Sequence, residues 1–219
     1  MKVCTDSCLF GAWIADKIEK RVLQPENILD IGSGTGLLSL MLAQKSNAKI
    51  DAVEINENSF LQTKENFNES KWNNQLQAWH ADIKNWSSPV KYDLIISNPP
   101  FFENDLKSEN PHKNLAKHHD GLTLNELLQS ITHHLTEEGK LALLLPWHRL
   151  GSFKKLADEN HFYLKEELLV KQTPAHSFFR GLLLFSTQKE NSISKELIIK
   201  EKEGNYTKDF DELLKDYYL

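Results

Sequence analysis

Thiols are nearly absent: Cys4 and Cys8 are the only cysteines among 219 residues. A single pair with three residues between its members, and no second pair, completes no four-ligand zinc site and builds no disulfide framework. Two such thiols fit a reducing compartment. Glycine and proline are also sparse, at 9 and 7 residues, which excludes collagen-like and low-complexity chains. No apolar run nears the roughly 18 residues of a membrane span, and the strongest, Leu141 to Pro146 and Gly181 to Phe185, have strand length. The opening MKVCTDSCLFGAW has one lysine, an aspartate and no long apolar stretch, so no signal peptide is read there. There is no basic excess either. With 26 Lys and Arg against 31 Asp and Glu, the net charge of −5 argues against a non-specific, charge-driven nucleic-acid binder. It leaves room for a local basic patch. A globular, cytoplasmic protein is expected.

What is present is alternation. Hydrophobic residues make up 40% and charged residues 26%, enough for a packed core. Strands are expected at 27–32, 49–55, 76–81, 92–97 and 140–145. Between and after them fall helical patterns at 35–46, 57–70 and 152–160. Thr123 and Glu126 have capping-box spacing, and the helix they open is expected to stop near Gly139. Two strand-like runs, 162–171 and 177–187, joined by the turn-like QTPAH, read as an antiparallel pair at the edge of a parallel sheet. A further strand over 196–200 and a C-terminal amphipathic helix with Phe210, Leu213, Leu214 and Tyr217 follow. Strand–helix alternation of this kind predicts an α/β, doubly wound fold.

Between the first strand and first helix lies DIGSGTG, residues 30 to 36. Glycines there let backbone approach a ligand closely. A dinucleotide fingerprint would place its third glycine at position 37, where the chain has Leu37. The spacing is instead Gly32, Gly34, Gly36 behind Asp30, with Glu54 ending the second strand and Asp82 following the third. A carboxylate at Glu54 is placed to accept both ribose hydroxyls of a nucleoside, and Asp82 to accept from an adenine amino group. This constellation resembles the class I S-adenosylmethionine-dependent methyltransferases over residues 27–187. The resemblance implies a Rossmann-like, mostly parallel seven-stranded sheet, S-adenosylmethionine as cofactor and S-adenosylhomocysteine as product. It also implies that the loop cradles the methionine part.

Asn98-Pro99-Pro100-Phe101 follows the fourth strand, at the carboxyl edge where open α/β sheets bind ligands. An amide-like or aromatic amine has a delocalised lone pair and is a poor nucleophile. Two oxygens accepting its N–H hydrogens, from the Asn98 side chain and the Pro99 carbonyl, would expose that lone pair. The two prolines stiffen the backbone, and Phe101 would stack on a flat substrate. The motif resembles that of amino-methyltransferases acting on adenine N6, cytosine N4 or glutamine side-chain nitrogen.

Two further stretches, residues 1–13 and YTKDFDELLKDYYL at 206–219, resemble the bacterial enzymes that methylate N6 of adenine 37 in valine tRNA. Lys2, Thr5 and Asp6 match that pattern, whereas Cys4 and Ser7 stand where glycines are usual. The resemblance implies that Thr5 and Asp6 help wall the cofactor pocket, and that a short segment normally precedes the position of Met1. It implies one domain over 1–219: a pocket segment at 1–26, the core at 27–187 and an extension at 188–219. The polar stretch Glu103 to His119, with Lys107, Lys113 and Lys117, reads either as a flap touching tRNA phosphates or as a solvated surface loop. Arg180 is a second candidate for RNA contact, which an ion pair explains equally well. Three other readings compete: a glutamine-N5 protein methyltransferase, an adenine-N6 enzyme for rRNA or DNA, and a non-catalytic RNA-binding module.

Adjacent histidines at 118–119 and 133–134 are expected to diverge, so no metal site is read from them. The five tryptophans, Trp13, Trp72, Trp79, Trp86 and Trp147, read as packing anchors.

Overall fold

A computed structural model describes residues 4–99 and 122–217. Its sheet starts from strands that are apolar on both faces. In β1 (Asn27–Ile31), β4 (Tyr92–Ser97) and β5 (Leu135–Pro146), successive side chains go to opposite sides, as pleating requires. Thus Ile28, Leu94, Ile96 and Ala142 enter one core, while Leu29, Ile95, Leu141 and Leu143 enter the other. The first core is closed by helices α1 (Thr5–Glu19), α2 (Leu37–Ala43), α3 (Glu57–Glu69) and α6 (Lys208–Leu214). The second is closed by α4 (Leu124–His134) and α5 (Trp147–Glu159).

The remaining strands are β2 (Lys49–Glu54), β3 (Leu76–His80), β6 (Tyr163–Lys171), β7 (Phe178–Ser186) and β8 (Ile193–Ile198). The order is β3-β2-β1-β4-β5-β7-β6-β8. It reverses direction between β1 and β4, so the loops after these two neighbours open a crevice at the sheet's carboxyl edge. The Ser97 hydroxyl donates to the Ile31 carbonyl at 2.7 Å and ties the two strands at their last row.

Eight strands form rather than the expected seven. β6 and β7 are antiparallel as anticipated, yet the pair lies one strand in from the edge. The outermost position belongs to β8, parallel to β6, starting three residues earlier than the expected 196–200 run. Its Lys and Glu side chains are exposed, which suits an edge that must not pair further.

The capping box at Thr123 and Glu126 is present, with the Thr123 Oγ1 accepting from the Glu126 N–H at 3.2 Å. That helix ends at His134, not near Gly139. Leu135 turns extended and enters β5 at once, pairing with Tyr92, while Leu94 pairs with Lys140. Residues 136–139 step out of that ladder. Gly139 permits this because a Cβ there would lie 2.4 Å from Leu135 Cγ. The rings of His133 and His134, expected to diverge, meet edge to face at 4.9 Å, and His134 stacks on Trp86 at 5.3 Å.

Candidate active site

The loop after β1 turns on three glycines in the left-handed region, with φ of 72° at Gly32, 61° at Gly34 and 77° at Gly36. Two of them are needed for different reasons. A Cβ on Gly36 would lie 2.5 Å from Phe67 of α3, so this glycine lets the loop pack on that helix. A Cβ on Gly32 would meet nothing within 4 Å, so there the bare backbone faces open space. Helix α3 holds the loop's carbonyls: Thr63 Oγ1 donates to Gly34 at 2.8 Å and Asn66 Nδ2 to Thr35 at 2.9 Å.

Glu54 holds the loop from the other side. Its Oε2 accepts from the Gly34 N–H and its Oε1 from the Asn56 N–H, both at 2.8 Å. An ionised carboxylate has about four acceptor positions, so two remain for other donors. Asp30 is fully buried; its Oδ2 accepts from Ser39 Oγ at 2.7 Å and its Oδ1 has no partner. Burial pushes its carboxyl up to about 7, against a usual 3.8. Ser33 Oγ is another buried polar atom without a partner. Asp82 follows β3, its Oδ1 accepting from the Lys84 N–H at 3.0 Å.

Asn98 stands at the end of β4, beside the glycine loop across the crevice. Its Nδ2 donates to Ser7 Oγ at 2.9 Å, and its buried Oδ1 has no partner among the described residues. Ser7 is itself fixed, its N–H donating to Asp6 Oδ1 at 3.0 Å. Asp6 Oδ2 accepts from Arg180 Nε at 2.8 Å. One connected set of contacts thus runs from β7 through the first turn of α1 to the Asn98 amide. Thr5 is exposed at the start of α1, and Pro99 is buried. Pro100, Phe101, Lys107, Lys113 and Lys117 lie outside the described residues.

Sequence reasoning overlooked Ser7 as a partner of Asn98, because the contact joins residues 91 positions apart. It also overlooked Ile55, which follows Glu54 and leaves 64% of its surface exposed. An apolar residue directly after a strand-ending acid was the available signal. The tryptophans differ in setting: Trp13 is buried, Trp79 is 42% exposed but bonded to Asp51 and in contact with Trp86, and Trp147 is 42% exposed. Among the described residues, no three His, Cys, Asp or Glu side chains gather as a metal site, and no helix is long and apolar enough to cross a membrane.

The strand order and the glycine turn at its reversal define a class I, Rossmann-like methyltransferase fold. A crystal structure described as a predicted O-methyltransferase from Agrobacterium tumefaciens superposes with a TM-score of 0.71 at 16% identity, covering 94% of each chain. Another, described as a ribosomal protein L11 methylase from Lactobacillus delbrueckii, gives 0.55 at 18% identity, covering 80% of this chain and 75% of that one. The sequence model described as "Methyltransferase small domain" matches residues 11–162, and the chain belongs to that family. More narrowly, relatives from Christiangramia forsetii and Bacteroides thetaiotaomicron are 38% and 37% identical, over the whole of this chain and 91% of each relative. Both are named tRNA1(Val) (adenine(37)-N6)-methyltransferase, and the chain belongs to their family.

Proposed function

We propose that this chain transfers a methyl group from S-adenosylmethionine to N6 of adenine 37 in the anticodon loop of valine tRNA, leaving S-adenosylhomocysteine. The observation that carries the reading is the Asn98 amide, clamped through its nitrogen by Ser7 with its buried oxygen unpartnered beside the glycine loop. The relatives' names supply the substrate.

The residues present fit the cofactor. Gly32 leaves open space at its bare backbone, and Asp30 Oδ1 and Ser33 Oγ are buried polar atoms awaiting partners. Gly32, Gly34 and Gly36 would cradle the methionine part, with the Asp30 carboxyl, which a cationic ligand would favour ionising, at the head of the loop. Glu54 would accept the ribose hydroxyls at its free lone pairs, Asp82 the adenine amino group, and Ile55 would cover the base. Bound there, S-adenosylmethionine supplies a methyl group on a sulfonium, an electrophile with a good leaving group.

The protein's own task is to make a poor nucleophile attack. The N6 lone pair of adenine is delocalised into the ring. Asn98 Oδ1 and the Pro99 carbonyl, accepting the two N–H hydrogens, favour a tetrahedral nitrogen whose lone pair is free. Those acceptors cost no reorganisation because Ser7 and the proline backbone hold them beforehand. Adenine 37 lies in a single-stranded loop, where extruding a base costs less than from a duplex. Phe101 is the proposed stacking partner. Lys107, Lys113, Lys117 and Arg180 are candidates for phosphate contacts, Arg180 with the reservation that its Nε already serves Asp6. A tRNA substrate implies a cytoplasmic enzyme.

The test is transfer of labelled methyl to unmodified valine tRNA with nucleoside analysis. N6-methyladenosine at position 37, lost when that adenine is replaced by guanine, is the expected result. Bound cofactor without transfer to that tRNA would overturn the substrate.

A further inference from the structure

Two strands along the same carboxyl edge, an aromatic pair faces solvent. Trp147 starts α5 immediately after β5 and is 42% exposed. Its ring lies 4.9 Å from that of Phe178, the first residue of β7, at a 39° tilt. Phe178 is anchored: it packs on the core, and Lys171 at the end of β6 places its Nζ 4.2 Å above the ring. Arg180 lies 5.5 Å from the Phe179 ring.

Exposure alone says little, and Trp79 is the control. It is as exposed as Trp147, but its indole N–H donates to Asp51 at 2.7 Å and its ring contacts Trp86. It therefore has a structural task. Among the described residues, the Trp147 indole N–H has no hydrogen-bond partner and its ring stacks with Phe178 alone. A large exposed ring held against a partly buried, core-anchored ring presents a rigid flat face, the feature on which unpaired bases stack.

Position and charge select the occupant. Ser97 pairs with Leu143, so Trp147 stands about three residues beyond the level of Asn98 on the neighbouring strand. At a strand rise of about 3.3 Å this is on the order of 10 Å, within a few nucleotides' reach along one strand. Lys171 and Arg180 stand at this rim beside aromatic rings, Lys171 also paired with Glu196 at 3.1 Å and Arg180 with Asp6 at 2.8 Å. Cations set beside aromatic faces suit a backbone of phosphates carrying stackable bases.

We propose that Trp147 and Phe178 form a stacking platform for an unpaired base flanking the methylated adenine, with Lys171 beside the adjoining phosphate. This rests on the reading of the chain as an RNA methyltransferase. The platform fixes the register of the strand, so that the adenine a few nucleotides away arrives at Asn98.

The test is binding of the unmodified valine anticodon stem-loop to the full chain, measured separately from methyl transfer. Trp147→Ala is expected to raise the Kd for RNA about tenfold or more while leaving the Kd for S-adenosylmethionine unchanged, and Trp147→Phe to restore most of the loss. Removing one flanking base as an abasic site should weaken wild-type binding by the same factor and cost Trp147→Ala nothing further. Unchanged RNA binding in a folded Trp147→Ala, or losses that simply add at every abasic position, would overturn the platform. Trp147-dependent binding without any N6-methyladenosine would uphold the platform and overturn the reaction. Methylation with Trp147-independent binding would do the reverse.

Discussion

At the scale of single residues, the amide of Asn98 shows how one hydrogen bond sets a chemical role. Its two ends differ in kind: the nitrogen can only donate and the oxygen only accept. Ser7 takes the nitrogen, so the oxygen is what remains for a substrate N–H. Asn98→Ala is expected to lower kcat by at least about a hundredfold with cofactor affinity nearly intact. Ser7→Ala should lower kcat by a smaller factor, about tenfold, by freeing the amide to turn, and Ser7→Thr should recover it. Steady-state kinetics beside calorimetric cofactor binding separates these outcomes. An equal loss of cofactor affinity in Asn98→Ala would contradict its role.

Asp30 carries a pH dependence whose sign follows from burial. The folded carboxyl holds its proton up to about pH 7, whereas the unfolded chain releases it near 4. Without cofactor, stability from this group is therefore greatest below pH 4 and declines as pH rises towards 7. A cationic ligand favours the ionised form, so S-adenosylmethionine should bind more tightly as pH rises through 7 and level off above it. The gain is expected to approach tenfold per pH unit below 7. Titrations at several pH values, with Asp30→Asn as the variant that flattens the curve, measure this.

At the scale of elements, the glycine loop is held by its neighbours as much as by its own glycines. Glu54 accepts from Gly34 and Asn56, so it shapes the loop besides its proposed contact with the ribose. Glu54→Ala removes both functions. Its expected effect is a rise of about 10- to 100-fold in the Kd for S-adenosylmethionine, with little change in kcat at saturation. Isothermal titration and saturating-cofactor kinetics give the two numbers.

Elements buried on both faces were legible in the sequence because their apolar runs are continuous, as in β1, β4 and β5. The glycine loop and Asn98 were legible because each follows such a run directly. The end of α4 was misjudged because Gly139 looks like a helix stop, whereas its lack of a Cβ serves a close approach to Leu135 within β5. β8 was misplaced because an edge strand bearing Lys and Glu resembles a linker. The exposure of Trp147 was invisible, since a tryptophan just beyond a strand-length apolar run, five residues ahead of the expected helix, reads the same whether it faces core or water. Contacts such as Ser7–Asn98 and Asp6–Arg180 join residues 91 and 174 positions apart, and no local pattern encodes them.

At the scale of the whole molecule, α1 is where distant parts of the chain meet. Lys17, only 7% exposed, donates to Glu166 of β6 at 2.6 Å, and Lys195 of β8 approaches the same carboxylate at 3.2 Å. Lys17→Met would leave Glu166 with Lys195 as its remaining cation. The expected destabilisation, about 1–3 kcal/mol, is smaller than the roughly 3–5 kcal/mol of an entirely unpaired buried charge. Urea unfolding of the two proteins checks it, and Glu166→Gln combined with Lys17→Met should recover part of the loss.

The same helix has a consequence for synthesis. Asp6 waits for Arg180 and Lys17 for Glu166, 174 and 149 positions further on. A nascent chain on the ribosome has the glycine loop, Glu54 and Asn98 well before it has the residues that lock α1 against them. A chain made only that far holds Ser7 and Asn98 but still lacks the partners of Asp6 and Lys17. Docking of α1 through these two ion pairs is therefore a late event in the making of the chain.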